Sequence, residues 1–114
     1  MAKKNFGITD KELAELAARD AACVYCRKTM IYPYSVNDRK NSSTIEHLNF
    51  DGPFHRNEGL QTEDIVMCCG SCNSSRSAKT LNDWFKSRYC IEKNISADTV
   101  AEPVKNYLQR FPHK

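Results

Sequence analysis

The sequence predicts a single α+β domain in which two short strands and a helix surround a four-cysteine metal site, with further helices on either side. Two cysteine pairs, Cys23/Cys26 and Cys69/Cys72, each have the C-x-x-C spacing that places two thiolates on one tetrahedral ion. Short segments of strand character lie between the pairs, and segments of helical periodicity lie outside them. These observations together define the predicted α+β class.

Length and composition are those of one globular domain, residues 1–114. The chain is 40% hydrophobic and 27% charged, and a domain of this size gains from a structural metal. The N-terminus turns charged before any apolar run of signal-peptide length, and no apolar run is long enough to span a membrane. We therefore expect a cytoplasmic protein whose six cysteines remain free thiols available to a metal rather than forming disulfides. The net charge of +3 permits a nucleic-acid partner without indicating one.

An N-terminal helix is predicted over about residues 9–20. Thr9 is placed to cap it, Glu12 to complete a capping box, and Ile8 to form a hydrophobic staple. Three apolar residues then share one face at helical spacing, which favours packing on the core. They are Leu13, Leu16 and Ala17.

Two strands are predicted between the cysteine pairs. Residues 43–48, STIEHL, alternate so that Glu46 and His47 face opposite ways. Residues 64–68, DIVMC, form an apolar second strand that runs into the second cysteine pair. The polar residues between them, 49–63, are expected to form a long surface loop.

Helices are predicted to complete the chain. A short one follows Cys72 in residues 74–79, and Thr80 is placed to cap the next. That helix carries an aromatic stripe typical of core packing, and a C-terminal helical extension over about residues 96–111, with Pro103 at its start, carries another apolar set. The two sets are Leu81, Trp84, Phe85 and Tyr89, then Val104, Tyr107, Leu108 and Phe111.

The cysteine spacing also predicts which thiols remain outside the metal site. Cys69 has the two-residue separation from Cys72 and Cys68 does not, so Cys68 is expected to be a small buried residue at the end of its strand, as is Cys90 on a helix. Four thiolates leave a tetrahedral ion without an open position. The metal is therefore expected to be structural Zn²⁺.

The combined motif resembles the zinc-stabilised HNH endonucleases of bacteria and phages. The resemblance covers about residues 20–90 and rests on C-x-x-C, then T-I-E-H at 44–47, then D-I-V-x-C-C-x-x-C-N-S-S-R at 64–76. It implies a ββα-metal core that hydrolyses DNA phosphodiester bonds with one catalytic Mg²⁺ or Mn²⁺. Products with 5′ phosphate and 3′ hydroxyl are implied in the same way.

The resemblance also implies the site residues. His47 falls on the general base, Glu46 and Asn73 on the ligands of the catalytic ion, and Asp64 on the middle Asn of the family pattern. The cysteine pair before Asn73 would then aim its amide oxygen at the ion. The residue types suit this chemistry, because imidazole titrates near pH 6.5 and hard oxygens bind Mg²⁺ or Mn²⁺.

Three basic residues near this motif, Arg56, Arg76 and Lys79, are candidate phosphate contacts. Two other functions fit the same sequence. One is a non-enzymatic zinc module that binds nucleic acid, and the other is an interaction protein, such as a phage packaging accessory, that binds a protein partner through its C-terminal helix.

Overall fold

One two-stranded sheet and five α-helices make up the part of the chain described by a computed structural model, residues 9–48 and 64–111. The expectations for Ile8, for the loop 49–63 and for Arg56 lie outside the described residues. The elements are α1 (Asp10–Arg19), a 3-10 turn (Arg39–Asn41), β1 (Ser43–His47), β2 (Ile65–Cys69), α2 (Gly70–Arg76), α3 (Leu81–Phe85), α4 (Arg88–Lys93) and α5 (Glu102–Arg110).

The sheet lies at the centre of the fold, with both strands within one residue of their predicted bounds. β1 and β2 run antiparallel, and Glu46 pairs with Val66 while His47 pairs with Ile65. Every residue of β2 is buried. Because side chains alternate along β1, Thr44 and Glu46 both face the helix α2 that follows β2.

Helix α1 begins as its sequence predicts. The Thr9 hydroxyl accepts a hydrogen bond from the Glu12 amide at 3.1 Å, and the Glu12 carboxylate accepts one from the Thr9 amide at 3.0 Å. Leu16 is buried against the core. At the other end, Asp20 accepts a hydrogen bond from the backbone amide of Met67 at 3.0 Å, so α1 is tied directly to β2.

Helix α2 begins inside the second cysteine pair, and the prediction that it follows Cys72 was wrong. Cys69 is the N-cap, and its sulfur accepts a hydrogen bond from the Cys72 amide at 3.4 Å. Asn73 therefore lies within the helix. The C-x-x-C spacing is typical of a metal-binding turn, but the sulfur of Cys69 also serves as the helix cap.

The one helix predicted after Thr80 is in fact two, α3 and α4. Thr80 caps α3 as predicted, but the Ser87 hydroxyl accepts a hydrogen bond from the Cys90 amide at 3.3 Å and so starts a second helix. The aromatic stripe still packs as predicted. Trp84 is fully buried, and the Tyr89 ring stacks on it with 6.0 Å between centroids.

Helix α5 closes the core through Val104 and Tyr107, both of which are buried. Pro103 is the second residue of this helix, one position after the predicted start. Only Phe111, at the end, is 40% exposed, so most of this apolar set packs inside the protein. Among the described residues, no helix has the length and apolar character needed to cross a membrane.

Candidate metal centre and site residues

The four predicted cysteines converge on one point. The sulfurs of Cys23, Cys26, Cys69 and Cys72 all lie within 4.8 Å of one another, and those of Cys26 and Cys69 are 3.9 Å apart. A tetrahedral zinc ion with Zn–S bonds of about 2.3 Å places its sulfurs about 3.8 Å apart. The cluster therefore has the donor type, number and spacing that suit a metal such as zinc.

Neighbouring donors orient the sulfurs of this cluster. The backbone amides of Tyr25 and Cys26 donate to the Cys23 sulfur at 3.4 and 3.5 Å. The Tyr89 hydroxyl donates to the Cys72 sulfur at 3.3 Å. Such second contacts fix ligand orientation and stabilise negative charge on thiolates, so the cluster is supported both by its own turns and by α4.

The thiols of the cluster also influence one another. Hydrogen bonds from Cys23 and Cys72 lower the pKa of Cys69 to about 3, and hydrogen bonding to Cys23 and Cys69 raises the pKa of Cys72. Sulfurs this close share protons because they repel one another when all are charged. A cation is what allows all four to be thiolates together.

The two remaining cysteines lie outside the cluster, as predicted. Cys68 and Cys90 are both fully buried, and neither contributes to the group of four sulfurs. Burial is the main cause that raises the pKa of each thiol. Both behave as small buried residues.

Glu46 is buried at the interface between β1 and α2, where it has a cationic partner. Its Oε2 lies 3.0 Å from Nη1 of Arg76, and the Tyr25 hydroxyl donates a hydrogen bond to the same oxygen. Burial raises the pKa of Glu46, while the positive charge of Arg76 opposes this shift. The carboxylate is thus held inside the protein by a guanidinium and a phenol.

Arg76 is fully buried, which corrects its predicted role as a phosphate contact. Besides Glu46, its guanidinium donates to the backbone oxygens of Leu48 at 2.8 Å and Lys79 at 2.9 Å. These bonds engage the side chain inside the protein, where a phosphate group cannot reach it. Lys79 itself is exposed, and its role remains a prediction.

Asn73 is half-buried and faces β1 through its amide nitrogen. Its Nδ2 donates to the Thr44 hydroxyl at 2.9 Å, and that hydroxyl donates to the backbone oxygen of Cys68 at 2.7 Å. Carboxylate and amide oxygens are the ligands that Mg²⁺ accepts, but Arg76 already neutralises Glu46. As arranged, Glu46 and Asn73 therefore do not form an open site for a divalent ion.

His47 ends β1 and is 2% exposed. Burial lowers its pKa to about 4, and the nearby charge of Asp64 acts in the opposite direction. The imidazole is therefore neutral at pH 7. Asp64 is itself buried and forms an ion pair with Arg110 of α5.

Sequence reasoning missed the contacts that surround these residues. Tyr25 lies within the first C-x-x-C turn, and nothing in its sequence position indicates that it reaches Glu46. The sequence position of Arg110, near the end of the chain, likewise gives no indication that it forms an ion pair with Asp64. Both contacts depend on the pairing of distant segments, so no local pattern could have revealed them.

Comparison with known proteins assigns no family to this chain. No protein-family model matches it, and no curated protein is detectably similar to it in sequence. The functional interpretation therefore rests on the residues themselves and on the motif resemblance.

Proposed function

We propose that this chain is a DNA endonuclease that hydrolyses phosphodiester bonds, with His47 as the general base and structural zinc in the four-cysteine cluster. One observation carries the proposal. Helix α2 starts within the cysteine cluster and packs on β1, so that the helix bearing Asn73 lies against the strand that bears Glu46 and His47. The resemblance to HNH endonucleases predicts that the helix bearing Asn73 lies beside the strand that bears Glu46 and His47.

The proposed reaction uses the neutral imidazole of His47. The imidazole takes a proton from a water molecule whose oxygen forms a bond to phosphorus, while the bond from phosphorus to the 3′ oxygen breaks and that oxygen gains a proton from solvent. The products are a 5′ phosphate and a 3′ hydroxyl. The pKa of about 4 keeps His47 unprotonated at neutral pH, although it also makes the imidazole a weaker base.

Metal dependence is part of the proposal. A divalent ion such as Mg²⁺ or Mn²⁺ would neutralise negative charge on the phosphate. Because Arg76 forms an ion pair with the Glu46 carboxylate, no step of the reaction is assigned to a metal ion at that carboxylate. The dependence is therefore a property to measure.

The test is nicking of supercoiled plasmid by the zinc-loaded protein with Mg²⁺, with Mn²⁺ and without added divalent ion. We expect wild type to nick in a divalent ion, and His47→Ala to lose at least a hundredfold of that rate. Gln109→Ala, on the exposed surface of α5, is the matched control and should nick normally. Full activity in His47→Ala would overturn the mechanism.

The second candidate is a zinc module that binds nucleic acid without cutting it. The buried pair of Glu46 and Arg76, together with the 2% exposure of His47, favours this function. Such a protein would bind DNA with an affinity that falls as salt rises. Binding without nicking in either Mg²⁺ or Mn²⁺ would select it over the endonuclease.

A further inference from the structure

A groove beside the cysteine cluster is lined by two cations and an aromatic ring. It has a volume of about 410 Å³, and no acidic residue is found among the described residues that line it. Its walls include Tyr34, Arg39, Lys40, Thr44, Asn73 and Ser74. The groove therefore joins the basic 3-10 turn to the helix that carries Asn73.

The two cations of the groove are available to a ligand. Arg39 and Lys40 are exposed, and within the described ranges neither forms an ion pair. The adjacent acid, Asp38, accepts hydrogen bonds from the Asn41 amide group at 3.0 and 3.1 Å and does not line the groove. Within the described residues, both positive charges are thus exposed to solvent without a carboxylate in ion-pair contact with them.

The basic turn is fixed to the cysteine cluster by its backbone. The Gly70 amide donates to the backbone oxygen of Ser42 at 3.0 Å, and a side chain at Gly70 would overlap the carbonyl oxygen of Arg39. The Ser42 hydroxyl donates to the backbone oxygen of Asp38 at 2.8 Å. The turn is therefore preorganised against the first residue of α2, which lowers the entropy cost of binding.

Tyr34 adds a ring surface to this basic groove. Its side chain is 47% exposed, and it also lines a neighbouring cavity of about 460 Å³ together with Tyr32, which is 50% exposed. Proteins that bind single-stranded nucleic acid combine cations that follow the backbone with aromatic rings on which bases stack. Charge and ring exposure therefore fit a nucleic-acid strand.

We propose that this groove, bounded by Arg39, Lys40 and Tyr34, binds a single strand of DNA, with the cations on phosphates and the ring of Tyr34 stacked on a base. The inference rests on the proposed function and names the residues that hold its substrate. Thr44 lines the groove, and His47 lies three residues further along β1, about 10 Å away. Because side chains alternate along β1, Thr44 and His47 face opposite sides of the sheet, so the groove would hold the substrate strand beside the sheet and not at His47 itself.

The test is fluorescence anisotropy of a labelled single-stranded DNA and of its duplex, titrated with the zinc-loaded chain over a range of salt concentrations. The double variant R39Q/K40Q should weaken single-strand binding about tenfold and reduce the salt slope by about 1.4, because each phosphate contact contributes about 0.7. K11Q/K86Q removes the same charge from two exposed positions, one in α1 and one at the C-cap of α3, and is the matched control. Equal binding by the two double variants would overturn the proposal.

The stacking contact is tested separately at Tyr34. Tyr34→Ala should weaken single-strand binding about tenfold, whereas Tyr34→Phe keeps the ring and should retain the affinity. Poly-glutamate, which carries negative charge but no bases, is used as a competitor for the labelled single-stranded DNA. Competition by poly-glutamate as effective as that by unlabelled DNA, or equal affinities for the Ala and Phe variants, would overturn the assignment of a stacked strand.

These experiments distinguish the groove from the endonuclease. Loss of nicking in His47→Ala with unchanged binding in R39Q/K40Q would support the nuclease and refute the groove. Weakened binding in R39Q/K40Q without nicking by any protein would support the groove and refute the nuclease.

Discussion

Arg76 of α2 and Glu46 of β1 form a buried ion pair, with 3.0 Å between Nη1 and Oε2 and side-chain exposures of 1% and 3%. Arg76 also binds the backbone oxygen of Leu48 at 2.8 Å, so this one side chain holds the helix to the strand end that carries His47. Removing one member of such a pair leaves an uncompensated charge inside the protein. The pair is therefore central to the geometry of the candidate site.

Single substitutions in this pair should be strongly destabilising, and the double substitution less than additive. We expect Glu46→Gln and Arg76→Met each to lower the free energy of unfolding by about 3 kcal/mol, and E46Q/R76M to cost less than their sum, because it leaves no lone charge. Urea denaturation of the zinc-loaded proteins measures this. Strictly additive costs would show that the two charges do not interact.

Gly70 should not tolerate a side chain. Gly70→Ala places a methyl group against the carbonyl oxygen of Arg39, so the 3-10 turn or the start of α2 must move, at a cost of about 1–3 kcal/mol. Ser74→Ala, at an exposed position of the same helix, should change stability by no more than about 0.5 kcal/mol. Thermal denaturation compares the two variants. Equal melting temperatures would show that the 3-10 turn accommodates the added methyl group without loss of stability.

The four-cysteine cluster should bind one zinc ion on which folding depends. We expect Cys72→Ala to lose both the metal and cooperative unfolding, because the binding free energy of a structural metal is folding free energy. Cys90→Ala removes a buried thiol outside the cluster and should keep the metal. Metal analysis and circular dichroism before and after chelation measure both properties, and a folded Cys72→Ala protein without metal would contradict the prediction.

Acid should destabilise the protein through His47. Burial lowers the pKa of His47 to about 4, whereas in the unfolded chain it lies near 6.5, so between these values the unfolded chain binds more protons. The free energy of unfolding therefore contains a contribution from neutral His47 that is complete above about pH 6.5. This contribution is lost as pH falls toward 4, by about 3 kcal/mol in total.

His47→Gln is the comparison for this pH dependence, because the other titrating groups are shared by both proteins. The difference in unfolding free energy between wild type and variant should shrink as pH falls from 7 to 4. Urea denaturation of both proteins at several pH values measures this difference in unfolding free energy. A difference that stays constant across this window would mean that His47 titrates alike in the folded and unfolded chains.

Local spacing made much of the fold predictable. The capping box at Thr9, the strand β1 and the buried character of Trp84 depend on neighbours within a few residues, and the structure contains all three. The start of α2 and the break at Ser87 were missed. In both, a side chain acts as a helix cap through a bond that competes with the simpler periodic pattern.

The four cysteines of the cluster could be chosen from the sequence alone, because the two C-x-x-C spacings are local and leave Cys68 and Cys90 outside. The sequence also placed Glu46 and His47 together on one strand. Their surroundings depend on how the chain folds: Arg76 is buried and pairs with Glu46, and Arg39 and Lys40 line the groove. A charged residue has the same local sequence signal whether buried or exposed, and only the association of distant segments determines which it will be.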